Sequence, residues 1–256
     1  MRAGHLLACL LVCSIVSPVM ATFTTINPPA SGEDSQKQIL NKTYNDTFSQ
    51  SGLNYTTNDG ITATRVEDVF DSSKTPNATA PLSITGDVGN DDQVWLANYK
   101  SATAEAIFAA FNQQFGYILG DGSNGSGTGS YVNLFNDTGS GYNVTGAANL
   151  GALSGKTLRW ARGGQSRVVS SKNSDNADGM DHMVTYRIDG LDDSSSGVVT
   201  WLIFFEDKFK SENADFDFQD LAIQIKATPL TTSPVPEPAS LSLVLCGLLG
   251  LSRRRK

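Results

Sequence analysis

The sequence predicts an all-β chain: an antiparallel β-sandwich or jelly roll carrying one principal helix. Three observations point there. Short apolar, β-branched runs are divided by turns rich in Gly, Asn and Asp, the spacing of a two-sheet protein. Residues 198–205 are almost unbroken apolar, as in a strand buried on both faces. Residues 221–226 alternate apolar and polar, as in a strand buried on one face.

Taken in order, the chain opens with Arg2, an apolar run from Leu6 to Val16 and the small-residue pattern Val19-Met20-Ala21, which reads as a signal peptide over 1–21. Residues 22–32 are a Pro- and Ser-containing lead-in. Residues 33–48 place Ile39, Leu40, Thr43, Tyr44 and Phe48 on one side at helical spacing, so a short amphipathic helix is expected. Residues 60–68 alternate like a strand, 71–81 read as loop, and 93–97 as another strand. The Ala-rich run that follows is expected to be the principal helix, at about 101–115. Ser101 or Thr103 would cap it, and Ile107, Phe111 and Phe115 would form a core-facing stripe.

Residues 120–130 are Gly- and Ser-rich and predict a surface loop. Residues 151–157 imitate a phosphate-binding loop but are one residue short between the glycines, and a strand-like segment rather than a helix follows. Residues 157–161 and 167–171 predict a hairpin around Gly163 and Gly164. The loop 173–181 carries Asp175, Asp178 and Asp181 and leads into a strand over 182–188. These acids are either an ordinary Asn/Asp turn or additional ligands for a cation held by the acidic stretch further on. His182, the one histidine between the two termini, reads as a hydrogen-bonded structural residue.

That acidic stretch follows the apolar strand. Glu206, Asp207, Glu212, Asp215, Asp217 and Asp220 put six carboxylates within 15 residues. If 215–219 is extended, Asp215, Asp217 and Gln219 face one way and Phe216 and Phe218 the other. Two readings fit: a solvated acidic loop, or a site where a cation relieves the repulsion between the acids. Ca²⁺, which takes 6–8 oxygens in flexible geometry, suits such a set. An EF-hand is excluded, because Lys226 stands where the bidentate Glu belongs. The order of a buried strand ending in Phe-Glu-Asp, a polar loop, Asp-x-Asp-Phe-x-Asp-Leu and an alternating strand resembles the DUF4114 domain of secreted bacterial proteins. The resemblance implies that Glu206, Asp207, Asp215, Asp217 and Asp220 form a calcium site. Gln219 stands where that family more often has Asn or Asp.

The C-terminus carries Val235-Pro236-Glu237-Pro238, a 13-residue apolar run over 239–251, and the basic end Arg253, Arg254, Arg255 and Lys256. The run is short against the ~20 residues of an ordinary spanning helix, and the basic end is expected to stay cytoplasmic. The three parts together resemble the PEP-CTERM sorting signal of Gram-negative bacteria. The resemblance implies a sorting signal over 231–256, an exosortase as processing partner, and membrane contact through the tail helix before processing. The exported domain would then span 22–230 and end at the cell envelope, the outer surface or the extracellular matrix.

Cys9, Cys13 and Cys246 all fall in the two terminal segments, so the exported domain has no cysteine for a disulfide. Residues 22–236 hold 14 Lys+Arg against 25 Asp+Glu, a net charge near −11 that repels nucleic acid and anionic membranes. With no Gly-x-Ser-x-Gly elbow, no His-Glu-x-x-His site and one body histidine, the residues for catalysis are sparse. The leading expectation is therefore a non-enzymatic, calcium-stabilised envelope or matrix protein associated with exopolysaccharide or biofilm. One alternative is a lectin-like carbohydrate-binding module, which would need Tyr131, Tyr142 or Trp160 as an exposed platform. The other is a glycosidase using the acid cluster.

Overall fold

The computed structural model describes residues 23–66, 82–83, 92–109, 112–122, 130–165, 167–228 and 230. The expected signal peptide and the sorting tail, with Val235 to Pro238 and the basic end, lie outside the described residues. So does the loop 71–81. No helix among the described residues is long and apolar enough to cross a membrane.

One helix, α1 (Gln36–Tyr44), forms where the apolar spacing of 33–48 places it. Its start is set by a capping box: the Gln38 N–H donates to Ser35 Oγ, and the Ser35 N–H donates to Gln38 Oε1. Asn45, in the left-handed region at φ 50°, closes it. The strands are β1 (Ser49–Ser51), β2 (Asn54–Thr56), β3 (Thr62–Arg65), β4 (Leu82–Ser83), β5 (Trp95–Leu96), β6 (Asn98–Ile107), β7 (Gln113–Leu119) and β8 (Val132–Asp137). They continue as β9 (Ala147–Asn149), β10 (Thr157–Gly164), β11 (Arg167–Ser170), β12 (Met183–Asp189), β13 (Val199–Phe205) and β14 (Leu221–Thr228).

Among the described residues these strands form two sheets. The larger runs β1-β2-β3-β12-β13-β14-β6-β9, all antiparallel. The smaller runs β4-β5-β10-β7-β8, with β11 also on β10, and only β4–β5 is parallel. The expected hairpin is β10–β11, with Ala161 opposite Ser170. The residues that imitate a phosphate loop make a 3-10 turn at Gly151–Leu153 and then enter β10.

The larger sheet is covered on both sides, which is why β13 is apolar at every position but Thr200. Trp201, Ile203 and Phe205 point into the core between the sheets with Trp95, Phe115 and Trp160. Leu202 and Phe204 point the other way, into a second core under α1 with Ile39, Leu40 and Phe48. Each such side chain is worth about 1.5–3 kcal/mol when fully buried. The neighbour β14 repeats the alternation, with Leu221, Ile223 and Ile225 between the sheets and Gln224 half-buried.

The helix expected at 101–115 is not there. Most of that segment lies in β6 and β7, and the one helix among the described residues is α1. The run 101–106 alternates small apolar Ala102, Ala104 and Ala106 with polar Ser101, Thr103 and Glu105, a period of two beneath an Ala-rich composition. Pairing along the whole of β14, with register shifts opposite Ala222/Ile223 and Lys226/Ala227, overrides the weak helical preference of alanine. Phe115 does face the core, but from β7.

Candidate metal centre

β13 ends at Phe205 and β14 begins at Leu221, so the acidic loop connects two adjacent central strands. Glu206, at the end of β13, is fully buried, and its N–H donates to the His182 carbonyl at 3.0 Å. Asp220, just before β14, is 9% exposed, and its Oδ2 accepts the Asp207 N–H at 2.8 Å. Asp217, 2% exposed, sits between Phe216 and Phe218. Those two phenylalanines are not extended: their φ angles are 54° and 58°, in the left-handed region that bulky residues avoid. Phe218 is nonetheless fully buried in the core under α1, while Asp217 turns towards Glu206 and Asp220.

Glu206, Asp217 and Asp220 each bring an oxygen within 4.8 Å of the others. Among the described residues no other group of three acids, histidines or cysteines comes together in this way. Glu206 Oε1 accepts the Lys208 N–H, and Asp217 Oδ2 accepts from the Gln219 amide at 2.8 Å. Glu206 Oε2, Asp217 Oδ1 and Gln219 Oε1 are buried with no hydrogen-bond partner. Buried oxygens left without donors are costly unless a cation or proton fills the gap.

The electrostatics agree. Burial, followed by the Asp215 charge, pushes the Asp217 carboxyl up to about 6. Burial also raises Glu206, Asp207 and Asp220, and the neighbouring carboxylates add to the effect at Glu206 and Asp220. Lys208 carries the nearest positive charge in sequence, but it forms no ion pair among the described residues.

These residues suit a hard divalent cation. A spread of 4.8 Å fits across a calcium coordination sphere, whose opposite oxygens lie roughly 4.6–5.2 Å apart. Glu206, Asp217 and Asp220 would hold the ion, and it would supply charge neutralisation and cross-linking of the loop.

The other predicted ligands are placed differently. Asp207 turns away, with Oδ2 3.7 Å from Arg162 Nη2 and 3.4 Å from Gln113 Nε2. Asp215 is exposed, although its charge is felt at Glu206 and Asp217. In the second acidic loop, Asp175 pairs with Arg159, and Asp178 accepts from the Lys210 N–H and lies 3.0 Å from His182 Nε2. Asp181 accepts the Met183 N–H. His182, fully buried, is held in a structural network, with its pKa lowered by burial.

The sequence reading assigns no role to Arg162 or Asn27, and none to Gln219 beyond its place beside Asp215 and Asp217. Gln219 donates to Asp217 Oδ2 and to Glu33 Oε2, so it positions a carboxylate and ties it to the segment before α1. Arg162 lies fully buried beneath the loop, and its Nη1 donates to the Asp207 carbonyl at 3.2 Å. Two arginines interleaved with Leu158, Trp160 and Ala161 in β10 are the sequence signal for buried counter-charge. Asn27 donates from its N–H to the Phe216 carbonyl at 3.0 Å and from its side chain to the Asp215 carbonyl.

The aromatic platform required by the lectin-like reading does not form at Trp160, which is wholly buried and edge-on to Trp95 and Tyr99. Tyr131 is half-buried, and Tyr142 is 37% exposed with its hydroxyl donated to Asp34.

No family model matches this chain, and no curated protein does. Among solved structures, the Ralstonia solanacearum high-affinity mannose-binding lectin aligns with a TM-score of 0.32 and 16% identity, covering 59% of this chain and 94% of that one.

Proposed function

We propose that this is an exported, non-enzymatic envelope or matrix protein whose β-sandwich is locked by one Ca²⁺ at Glu206, Asp217 and Asp220. Its PEP-CTERM-like tail is the substrate of an exosortase, and its partner outside the cell is extracellular polysaccharide. One observation carries the calcium reading: the buried Glu206 Oε2 and Asp217 Oδ1 have no hydrogen-bond donor, in a cluster whose acids converge within 4.8 Å. The enclosure of Glu206 argues for a structural ion rather than one that a sugar coordinates. It argues equally against a glycosidase, whose two carboxyl groups must flank a substrate bond.

The test is a calorimetric calcium titration of the purified protein alongside thermal melts in chelator and in calcium. Extracellular sites often bind at ~10⁻⁴–10⁻³ M, so millimolar calcium is the fair range. One melting temperature common to both conditions, with no heat of binding, would return the acids to a loop without a metal.

A further inference from the structure

A cavity of about 520 Å³, well within the size range of small-molecule sites, opens beside the metal centre. Its walls are the segment 23–29, the start of α1 and the β1–β2 hairpin, and Asp217 lines it from the metal side. Aromatic residues and one cation dominate the interior: Phe23, Tyr55, Tyr186 and Arg65. The Arg65 guanidinium carbon lies 5.7 Å from the Tyr186 ring centroid and 5.9 Å from that of Phe23. Its Nη2 donates to the Thr24 carbonyl at 3.3 Å, and no carboxylate pairs with it among the described residues. An arginine only 3% exposed without an acidic partner is uncommon, because burial of a charge is tolerated when it is paired.

The remaining polar lining consists mainly of amides and hydroxyls rather than charges. Gln36 spans the cavity floor: its Oε1 accepts the Tyr186 hydroxyl at 3.0 Å, and its Nε2 donates to the Asp217 carbonyl at 3.5 Å. Gln50 and Leu53 form an exposed rim on the β1–β2 hairpin. Half-buried Phe23 for C–H groups, the exposed Gln50 amide for hydroxyls and one planar guanidinium match a sugar ring carrying a carboxylate.

We propose that this cavity binds a uronic-acid residue of an acidic polysaccharide, with its carboxylate on Arg65. The proposal deepens the polysaccharide reading above and rests on it for the class of partner. The calcium ion matters indirectly: with Asp217 neutralised, the cavity presents net positive charge to the ligand.

The experiment titrates the full-length chain with digalacturonate and with its methyl ester, by calorimetry in millimolar calcium. The acid should bind and the ester should bind at least about tenfold more weakly, since a hydrogen bond to a charged group is worth roughly 1.5–3 kcal/mol. Arg65→Gln should erase the difference between acid and ester. Because Arg65 is buried, the exposed rim supplies a second arm: Gln50→Glu should weaken binding of the acid and spare the fold, while Gln50→Lys should not weaken it. Equal affinity for acid and ester, no heat with either, or indifference to Gln50→Glu would each overturn the proposal. The calcium-induced rise in melting temperature is read on the same samples. That rise without sugar binding overturns the cavity assignment and leaves the metal centre. Acid-selective binding without the rise supports the cavity and removes the metal centre.

Discussion

The N–H of Asn27 donates to the carbonyl of Phe216 at 3.0 Å, joining residues far apart in sequence at the edge of the acidic cluster. The Asn27 side chain adds a bond to the Asp215 carbonyl. The segment that walls the cavity is thus fastened to the loop that carries Asp217, through the one stretch of loop where two phenylalanines have positive φ. A cation held by Glu206, Asp217 and Asp220 would support the same backbone conformation as the cavity wall does.

That relationship makes the first prediction. Asn27→Ala removes the side-chain bond and leaves the backbone one, a loss of about 1 kcal/mol. If the loop must hold this conformation to ligate calcium, affinity for the ion should fall roughly fivefold. Calorimetric titration of the two proteins measures it. Equal calcium affinities would show that the loop holds its shape without the segment.

Asp217 and Asp207 separate the metal from the scaffold. Asp217→Asn should abolish most of the stabilisation by calcium, which reaches about 2.7 kcal/mol at 100-fold saturation. In chelator its melting temperature should stay level or rise slightly, because a neutral amide ends the repulsion with Glu206 and Asp215. Asp207→Asn should do the reverse. Arg162 would lose the Asp207 carboxylate that lies 3.7 Å from its Nη2 in a wholly buried position, at a cost of up to about 3 kcal/mol in both conditions, while the calcium increment persists. Mg²⁺ at the same concentration should substitute poorly, since it demands stricter octahedral geometry. If both variants keep the wild-type increment, the acids hold no ion.

The tail makes a prediction of its own. If Pro236, Glu237 and Pro238 mark a processing site, mature protein from envelope or matrix material should lack the end of the chain, and Glu237→Ala should retain it. Intact-mass measurement decides the matter, and wild-type protein still ending at Lys256 would refute processing.

Much of the β architecture was legible because each central strand carries its environment in its own pattern. The unbroken apolar run Trp201 to Phe205 implies two covering layers, and α1 supplies the second. β6 was misread because alanine composition speaks for a helix, while the alternation of Ala102, Ala104 and Ala106 speaks for a strand. The deciding contact, with β14, lies more than a hundred residues away. At the site, spacing showed that Glu206, Asp217 and Asp220 were near one another in sequence, but not which acids converge. That depends on where the chain turns: the left-handed Phe216 and Phe218 aim Asp217 inward, and Arg162 on β10 draws Asp207 away. No local pattern announces Arg65 as a cavity cation, because its setting is assembled from segment 23–29, β2 and β12.

The final prediction concerns acidity. Glu206, Asp207, Asp217 and Asp220 all have carboxyl groups raised above their ordinary values in the calcium-free fold, Asp217 to about 6 from 3.8. Glu105 is likewise pushed up by burial, to about 7. A group with a raised folded pKa binds protons more tightly when folded, so its contribution is fully present below the unfolded pKa and is lost as pH rises through the folded value. His182 works in the opposite sense, since burial lowers its pKa and its protonation below the ordinary 6.5 opposes folding. With five carboxyls against one imidazole, stability in chelator should fall as pH rises from about 5 to 7. Calcium held at the site would reverse the preference there, because it requires the ionised carboxylates and expels their protons. In about 10 mM calcium, roughly ten times the weak end of extracellular sites, the decline should flatten, and calcium affinity should weaken steadily on acidification. Melting curves at half-unit pH steps in both conditions give the two slopes. Parallel slopes would mean that calcium does not engage the buried carboxylates, whatever it does elsewhere on this acidic surface.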